Sequence, residues 1–318
     1  MSTLRKTYAR PPFAPAYMLQ AFRPSRGWRT DRGSPDLHLQ WNGYRIEREA
    51  SDSLRSICGL PGGAGSIRFD LLWPQVTGFR LIMAMLTRAD WPLPIWNALQ
   101  IRNRLVLHGP LSADEEYALD LRPSGWRVLP KGVEIDLHMT LAARGERRWE
   151  SAVTFYYRGR YGSEAASGQE LGAVANAPAI ASPGSETGGG ATRATDLARW
   201  NVGDGHRWAF GRLTGDYNGL HQWNAYARRM GFPAAFPHPQ RILGQCLARL
   251  PDPGPGPLTL DLWIKGPVFF GRDVALVRQP SATAGSCDFG IWLEGESRPA
   301  LVGTLGPAAA ATSAQAAA

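Results

Sequence analysis

Two stretches far apart in the chain follow the same grammar, and that repeat narrows the choice of folds. Trp73-Pro74-Gln75 opens an apolar run, and His238-Pro239-Gln240 opens another. Further on, His108-Gly109-Pro110 returns as Lys265-Gly266-Pro267. In the first run, Val76, Phe79, Ile82, Met83 and Leu86 fall at helical spacing; in the second, Ile242, Leu243, Cys246, Leu247 and Leu250 do. Each predicted helix, with Pro at its first position, precedes short segments of strand character. These are 99–107, 116–122, 132–142 and 147–157 in the first half, and 258–264, 273–279, 289–294 and 299–304 in the second. Breaks such as Pro123-Ser124-Gly125 and Arg144-Gly145 separate those of the first half. One helix followed by an antiparallel meander, used twice, is an α+β arrangement built by internal duplication.

The rest of the chain divides around that repeat. Residues 66–72 read as a strand leading into the first helix, and 37–46 as a strand pair turning at Asn42-Gly43. Residues 163–196 are rich in Gly, Ala, Ser, Thr and Pro. A stretch of this kind buries too little apolar surface to offset its ordering entropy, so it reads as a flexible linker. The expected units are thus an N-terminal half over 1–162, the linker, a C-terminal half over 197–306 and an Ala-rich disordered tail over 307–318. With 318 residues and 44% apolar composition, two cores of ordinary size are within reach.

Composition excludes several classes. The net charge of +8 is carried mostly by scattered Arg, and no Lys/Arg-rich run or nucleic-acid motif occurs. A diffuse basic surface suits a phosphate-bearing ligand. The three cysteines, Cys58, Cys246 and Cys287, are widely spaced, which supports neither a zinc site nor a disulfide framework and fits a cytoplasmic protein. Pro11, Pro12 and Pro15 break the N-terminus, unlike a signal peptide, and no stretch approaches a membrane span. His108, His138 and His206 lack ligand spacing, so no metal is expected. Arg102 and Arg104 share one strand face, either solvated or facing a phosphate.

Chemistry concentrates between Phe210 and His221. A carboxylate (Asp216), an amide (Asn218) and an imidazole (His221) lie within six positions, with Gly215 and Gly219 allowing tight turns. Residues 222–230 read as a helix stopped by Gly231, with Asp216 and Asn218 on the turn before it and His221 in its first turn. On spacing alone the trio serves either as helix caps or as an acid–base pair facing one volume.

This run resembles the hydratase signature of the MaoC-like (R)-specific enoyl-thioester hydratases and dehydratases. Thr214, Gly215, Asp216, Asn218, Leu220, His221 and Ala227 match it; Phe210 stands where Tyr is usual and Gly219 where Pro is usual. The resemblance implies a double hotdog fold, in which each half wraps an antiparallel sheet around a helix. It also implies reversible hydration of a trans-2-enoyl thioester to the (R)-3-hydroxyacyl form. Asp216 and His221 would be the catalytic pair, supported by Asn218, Thr214 and Gly215. CoA or a carrier protein's phosphopantetheine would enter as part of the substrate, with no separate cofactor. The first half has no counterpart of the cluster, and Trp73 stands in the place of His238. It is therefore expected to be non-catalytic, completing the sheet and shaping an acyl tunnel.

In the family the thioester oxygen is held by a backbone N–H at the start of the central helix. The matching pair here is His238-Pro239, and proline has no N–H. Gln240 and Arg241 are the expected substitutes at that helix N-terminus. His238 is either a second polar group of the site or a satisfied helix-start residue. Hotdog thioesterases and non-catalytic acyl-thioester binders share such a fold and are the alternatives. A homodimer is compatible with all of these.

Overall fold

The computed structural model describes residues 4–63, 65–168, 176–185 and 194–308. Its strands are β1 (Leu4–Tyr8), β2 (Leu37–Tyr44), β3 (Leu99–Leu107), β4 (Tyr117–Leu129), β5 (Gly132–Ala143), β6 (Glu146–Arg158), β7 (Ala165–Gly168), β8 (Thr195–Asn201), β9 (Leu258–Ile264), β10 (Asp273–Pro280), β11 (Cys287–Leu293) and β12 (Leu301–Pro307). Its helices are α1 (Ala14–Gln20), α2 (Arg48–Cys58), α3 (Ile67–Thr77), α4 (Phe79–Leu86), α5 (Arg207–Thr214), α6 (Asn224–Arg229) and α7 (Pro239–Leu247).

Eleven strands follow one path, β1-β2-β4-β5-β6-β3-β9-β12-β11-β10-β8, with β7 added beside β4. The duplication is explicit in this order. In the first half, β2, a helix, then β3 to β6 give the spatial order 2-4-5-6-3; in the second, β8, a helix, then β9 to β12 give 8-10-11-12-9. The halves join where β3 and β9 pair antiparallel, Leu105 opposite Leu260. The helices pack on one face of this continuous sheet, over inward side chains such as Leu105, Leu137, Val153, Leu260 and Ile291. Where α7 crosses α2 and α3 the backbones approach closely, because a Cβ at Gly244 would come within 2.5 Å of Cys58 Sγ and 2.9 Å of Leu72.

Several local readings change. Residues 66–72 are not a strand: α3 starts at Ile67 and contains Pro74 in its interior rather than at its first position. A short apolar run does not distinguish helix from strand. Here the buried Asp70 carboxylate, accepting from the N–H groups of Gly65 and Leu111, pins the first helical turn against the segment after β3. Asn42-Gly43 is no hairpin turn. It is an irregularity inside the single strand β2, where the register to β4 shifts and Gly43 has φ +71°. Likewise Pro123-Ser124-Gly125 bulges β4 without ending it. Strands β7 and β8 occupy both ends of the stretch read as a linker; its residues 169–175 and 186–193 lie outside the described residues. Of the tail, Pro307 closes β12 and 309–318 lie outside the described residues. Arg102 and Arg104 are neither solvated nor open to a phosphate; they pair with Glu134 and Asp261. No helix among the described residues is long and apolar enough to cross a membrane.

Candidate active site

Helix α5, absent from the sequence reading, delivers the acidic residue. It ends at Gly215, whose φ of +71° turns the chain so that Asp216 points inward. Thr214 Oγ1 donates to the Phe210 carbonyl (3.1 Å) and accepts from the Asp216 N–H (3.1 Å), which locks that turn. Asp216 Oδ1 then accepts from the Asn218 N–H (2.9 Å), and Asn218 Oδ1 from the Leu220 N–H (3.1 Å). Both side chains therefore cap the next turn, and Asp216 still presents Oδ2. That turn is a 3-10 helix, Gly219–His221, separate from α6; His221 lies there and not in the first turn of α6. Gly219 fits because a Cβ there would stand 2.7 Å from the Tyr226 ring.

His221 is fixed from the far side of the loop. Its Nδ1 donates to the Phe236 carbonyl (2.8 Å), while the Phe236 N–H donates back to Leu220 O (3.2 Å). The proton on Nδ1 leaves Nε2 facing Asp216 Oδ2 at 3.5 Å. Burial alone would raise the Asp216 pKa, yet the hydrogen bond and charge of His221, with His238 and the Asn218 N–H, draw it down to about 2. Burial opposes charge on His221 too, but the Asp216 carboxylate and the Phe236 carbonyl outweigh it and raise its pKa.

Two residues of the first half hold this loop in place, and the sequence carried no signal for them. Tyr17 on α1 donates its hydroxyl to the Gly215 carbonyl (2.7 Å), and Arg80 on α4 donates to the Arg212 carbonyl. Tyr17→Phe leaves a buried carbonyl unpaired, so it is expected to cost about 1–3 kcal/mol of stability, read as a lower denaturant midpoint at unchanged m-value.

The pair opens on a cavity of about 380 Å³. Asp216, Asn218, His221 and His238 supply its polar end; the rest is mainly apolar. Phe232, Phe236, Ile242 and Ile264 come from the second half, and Met18, Phe79, Met83, Leu86 and Trp96 from the first. The pseudo-equivalent end of the β3–β9 seam carries another cavity, beside Ser66, Arg68, Asp70, His108 and Pro257. Its buried Asp70 is committed to two backbone N–H groups, and the imidazole in its lining, His108, is paired with Glu150, which does not line the cavity.

The helix start differs from expectation. His238 caps α7: its Nδ1 accepts from the Gln240 N–H (3.3 Å) and its carbonyl from the Arg241 N–H (2.9 Å). Neither Gln240 nor Arg241 therefore offers a free backbone donor, which removes both as substitutes for the amide lost at Pro239. The Arg241 side chain bonds the carbonyls of Gly203 and Gly205. The Gln240 side chain is fully buried and has no hydrogen-bond partner. His238 is both things the sequence left open, since it caps the helix and its Nε2 also lies 3.8 Å from Asp216 Oδ2 at the slot. Among the described residues no group of three His, Cys, Asp or Glu forms a metal-binding cluster.

No family model matches the chain. A curated relative, 3-hydroxyacyl-thioester dehydratase X of Mycobacterium tuberculosis, is 22% identical over 186 residues, which are 57% of this chain and 61% of that protein. The match thus spans about three-fifths of the relative's length. The crystal structure of HtdX from Mycobacterium tuberculosis superposes with a TM-score of 0.67 at 16% identity, covering 85% of this chain and 100% of that one. A MaoC-like dehydratase from Phytophthora capsici gives 0.61 at 14% identity, covering 88% and 97%. The peroxisomal multifunctional enzyme type 2 of Drosophila melanogaster gives 0.58 at 15% identity, covering 84% of this chain and 48% of that one. With its repeated strand order, its helix layer and these superpositions, the chain has the double hotdog fold of the MaoC-like dehydratases.

Proposed function

We propose that the protein is a hydro-lyase that adds water to a trans-2-enoyl thioester and removes it from the (R)-3-hydroxyacyl thioester. One observation carries the reading: Asp216 Oδ2 and His221 Nε2 lie 3.5 Å apart at the polar end of an apolar slot. The names of the relatives, one a 3-hydroxyacyl-thioester dehydratase, support it.

In the hydration direction a water bound against Asp216 Oδ2 and His221 Nε2 gives a proton to Nε2 as its oxygen bonds to the β-carbon. Negative charge moves to the thioester oxygen. The imidazolium, stabilised by the Asp216 carboxylate, then returns the proton to the α-carbon. Water is added without loss or gain of a proton by the protein. Asn218 holds the loop and transfers no proton. The substrate is an acyl thioester of CoA or of a carrier protein, its chain lying along the slot that both halves line. The first half thus acts as wall and support, and the chain has one catalytic site.

Incubation with crotonyl-CoA and longer 2-enoyl-CoAs, following loss of enoyl absorbance, tests this. Release of free thiol without loss of the double bond would instead identify a thioesterase.

The base needs neutral His221, whose pKa is raised by Asp216. Activity is therefore expected to fall with decreasing pH through a value above the ordinary histidine pKa of about 6.5. Removing the carboxylate in Asp216→Asn lowers the His221 pKa, read by NMR titration of the ring proton. The same shift bears on stability. With the folded His221 pKa above the unfolded one and the Asp216 pKa below its unfolded value, the His221–Asp216 contribution is complete between about pH 4 and pH 6.5, and is lost as pH rises through the folded His221 value or falls through the folded Asp216 value.

A further inference from the structure

Pro239 leaves the hydration chemistry without its expected donor to the thioester oxygen, and the next two N–H groups are occupied. The structure supplies another. We infer that the Nε2–H of neutral His238 is the hydrogen-bond donor to the thioester oxygen, taking over the work of a backbone amide; this rests on the hydration reading of the site.

The tautomer follows from the capping bond. Nδ1 accepts from the Gln240 N–H at 3.3 Å, so Nδ1 carries the lone pair and the ring proton sits on Nε2. A second proton would have to displace that bond at the positive end of α7. Burial, first, and the neighbouring His221 charge oppose it as well, against a weaker pull from Asp216. The ring is clamped, 4.7 Å edge-on to Phe79 and 5.9 Å from Phe210, centroid to centroid. Its Nε2–H faces the slot, and Asp216 Oδ2 at 3.8 Å is beyond hydrogen-bond reach. The proton is therefore free for a ligand. The His221 and His238 rings are 5.4 Å apart, centroid to centroid, so the enoyl unit O=C–C=C can set its β-carbon at the Asp216–His221 pair and its oxygen at His238.

The arrangement is also electrostatically favourable. The imidazole stands in line between the N-terminus of α7 and the substrate, and the Gln240 N–H polarises it through Nδ1. That strengthens Nε2–H as a donor without charging the ring, and no bond to hydrogen breaks at His238 during the reaction. A donor aimed at developing charge in this way is worth about 10²–10³-fold in kcat.

His238→Ser separates this role from capping. Serine is a good N-cap, so α7 keeps its first bond, but its hydroxyl is too short to reach the substrate oxygen. The expected result is a kcat for crotonyl-CoA hydration lower by about 10²–10³-fold, with KM little changed; the thermal midpoint falls because the buried ring leaves a cavity beside Phe79 and Phe210, and kcat is read well below that midpoint. The second readout needs no turnover. Bound 2,4-hexadienoyl-CoA absorbs at longer wavelength when its carbonyl is polarised; the red shift should appear with Asp216→Asn and vanish with the Asp216→Asn/His238→Ser double variant. A His238→Ser enzyme within a few-fold of wild type, a red shift that survives in the double variant, or no red shift with Asp216→Asn at saturating ligand overturns the inference. If wild type fails to hydrate enoyl thioesters yet the red shift depends on His238, the hydration reading fails and the donor assignment stands.

Discussion

Asp216→Asn lowers kcat for enoyl-thioester hydration by about 10²–10⁴-fold, and His221→Gln does so by a similar factor. The double variant is no worse than about the poorer single one, because the two groups act as a unit on one water and one proton. The structural ground is their shared volume. Oδ2 and Nε2 are 3.5 Å apart, each with its other polar atom already committed, Oδ1 to the Asn218 N–H and Nδ1 to the Phe236 carbonyl. Asp216→Asn keeps the size and the Asn218 bond, so binding of a saturated acyl-CoA should persist while turnover is lost. Progress curves with purified variants, beside acyl-CoA titrations, check this. Variants that hydrate at the wild-type rate would remove the proposed mechanism.

Trp149→Ala, in the first half, is expected to cost about 3–5 kcal/mol. The indole is fully buried on β6 and its Nε1–H reaches the Leu71 carbonyl of α3 at 2.9 Å, so its removal opens a cavity between sheet and helix layer. Stability of a typical domain is only about 5–15 kcal/mol in total. The sheet runs unbroken through the β3–β9 seam, and Tyr17 and Arg80 tie the first half to the loop that carries Asp216. Loss of hydration and loss of tryptophan fluorescence should therefore coincide in urea, at a lower midpoint than wild type. Two separate transitions, with activity outlasting the first, would show that the halves stand independently.

The legible parts of the sequence were those with local causes. Segment 99–107 matches β3 and 258–264 matches β9, because alternation and flanking Gly-Pro punctuation set a strand without outside help. Asp216, Asn218 and His221 declared themselves through one compact motif. The misread parts depend on partners remote in the chain. Residues 66–72 became helix, with Asp70 bonded to Leu111 across the fold. Pro123-Ser124-Gly125 stayed within β4, with Pro123 paired to Leu137 of β5. Helices α1 and α5 are short and were hidden by proline or glycine within or beside them.

The repeated grammar, the α+β class and the proximity of Asp216 and His221, the proposed acid–base pair, are thus written in the order of the residues. Which groups finish the site is not. The Gln240 and Arg241 amides were plausible donors until the fold gave the first to the His238 ring and the second to the His238 carbonyl. Tyr17 reaches Gly215 only because the fold brings together residues 198 positions apart in the chain. Hydrogen bonds are spent once, and where each is spent depends on distances that no spacing along the chain records.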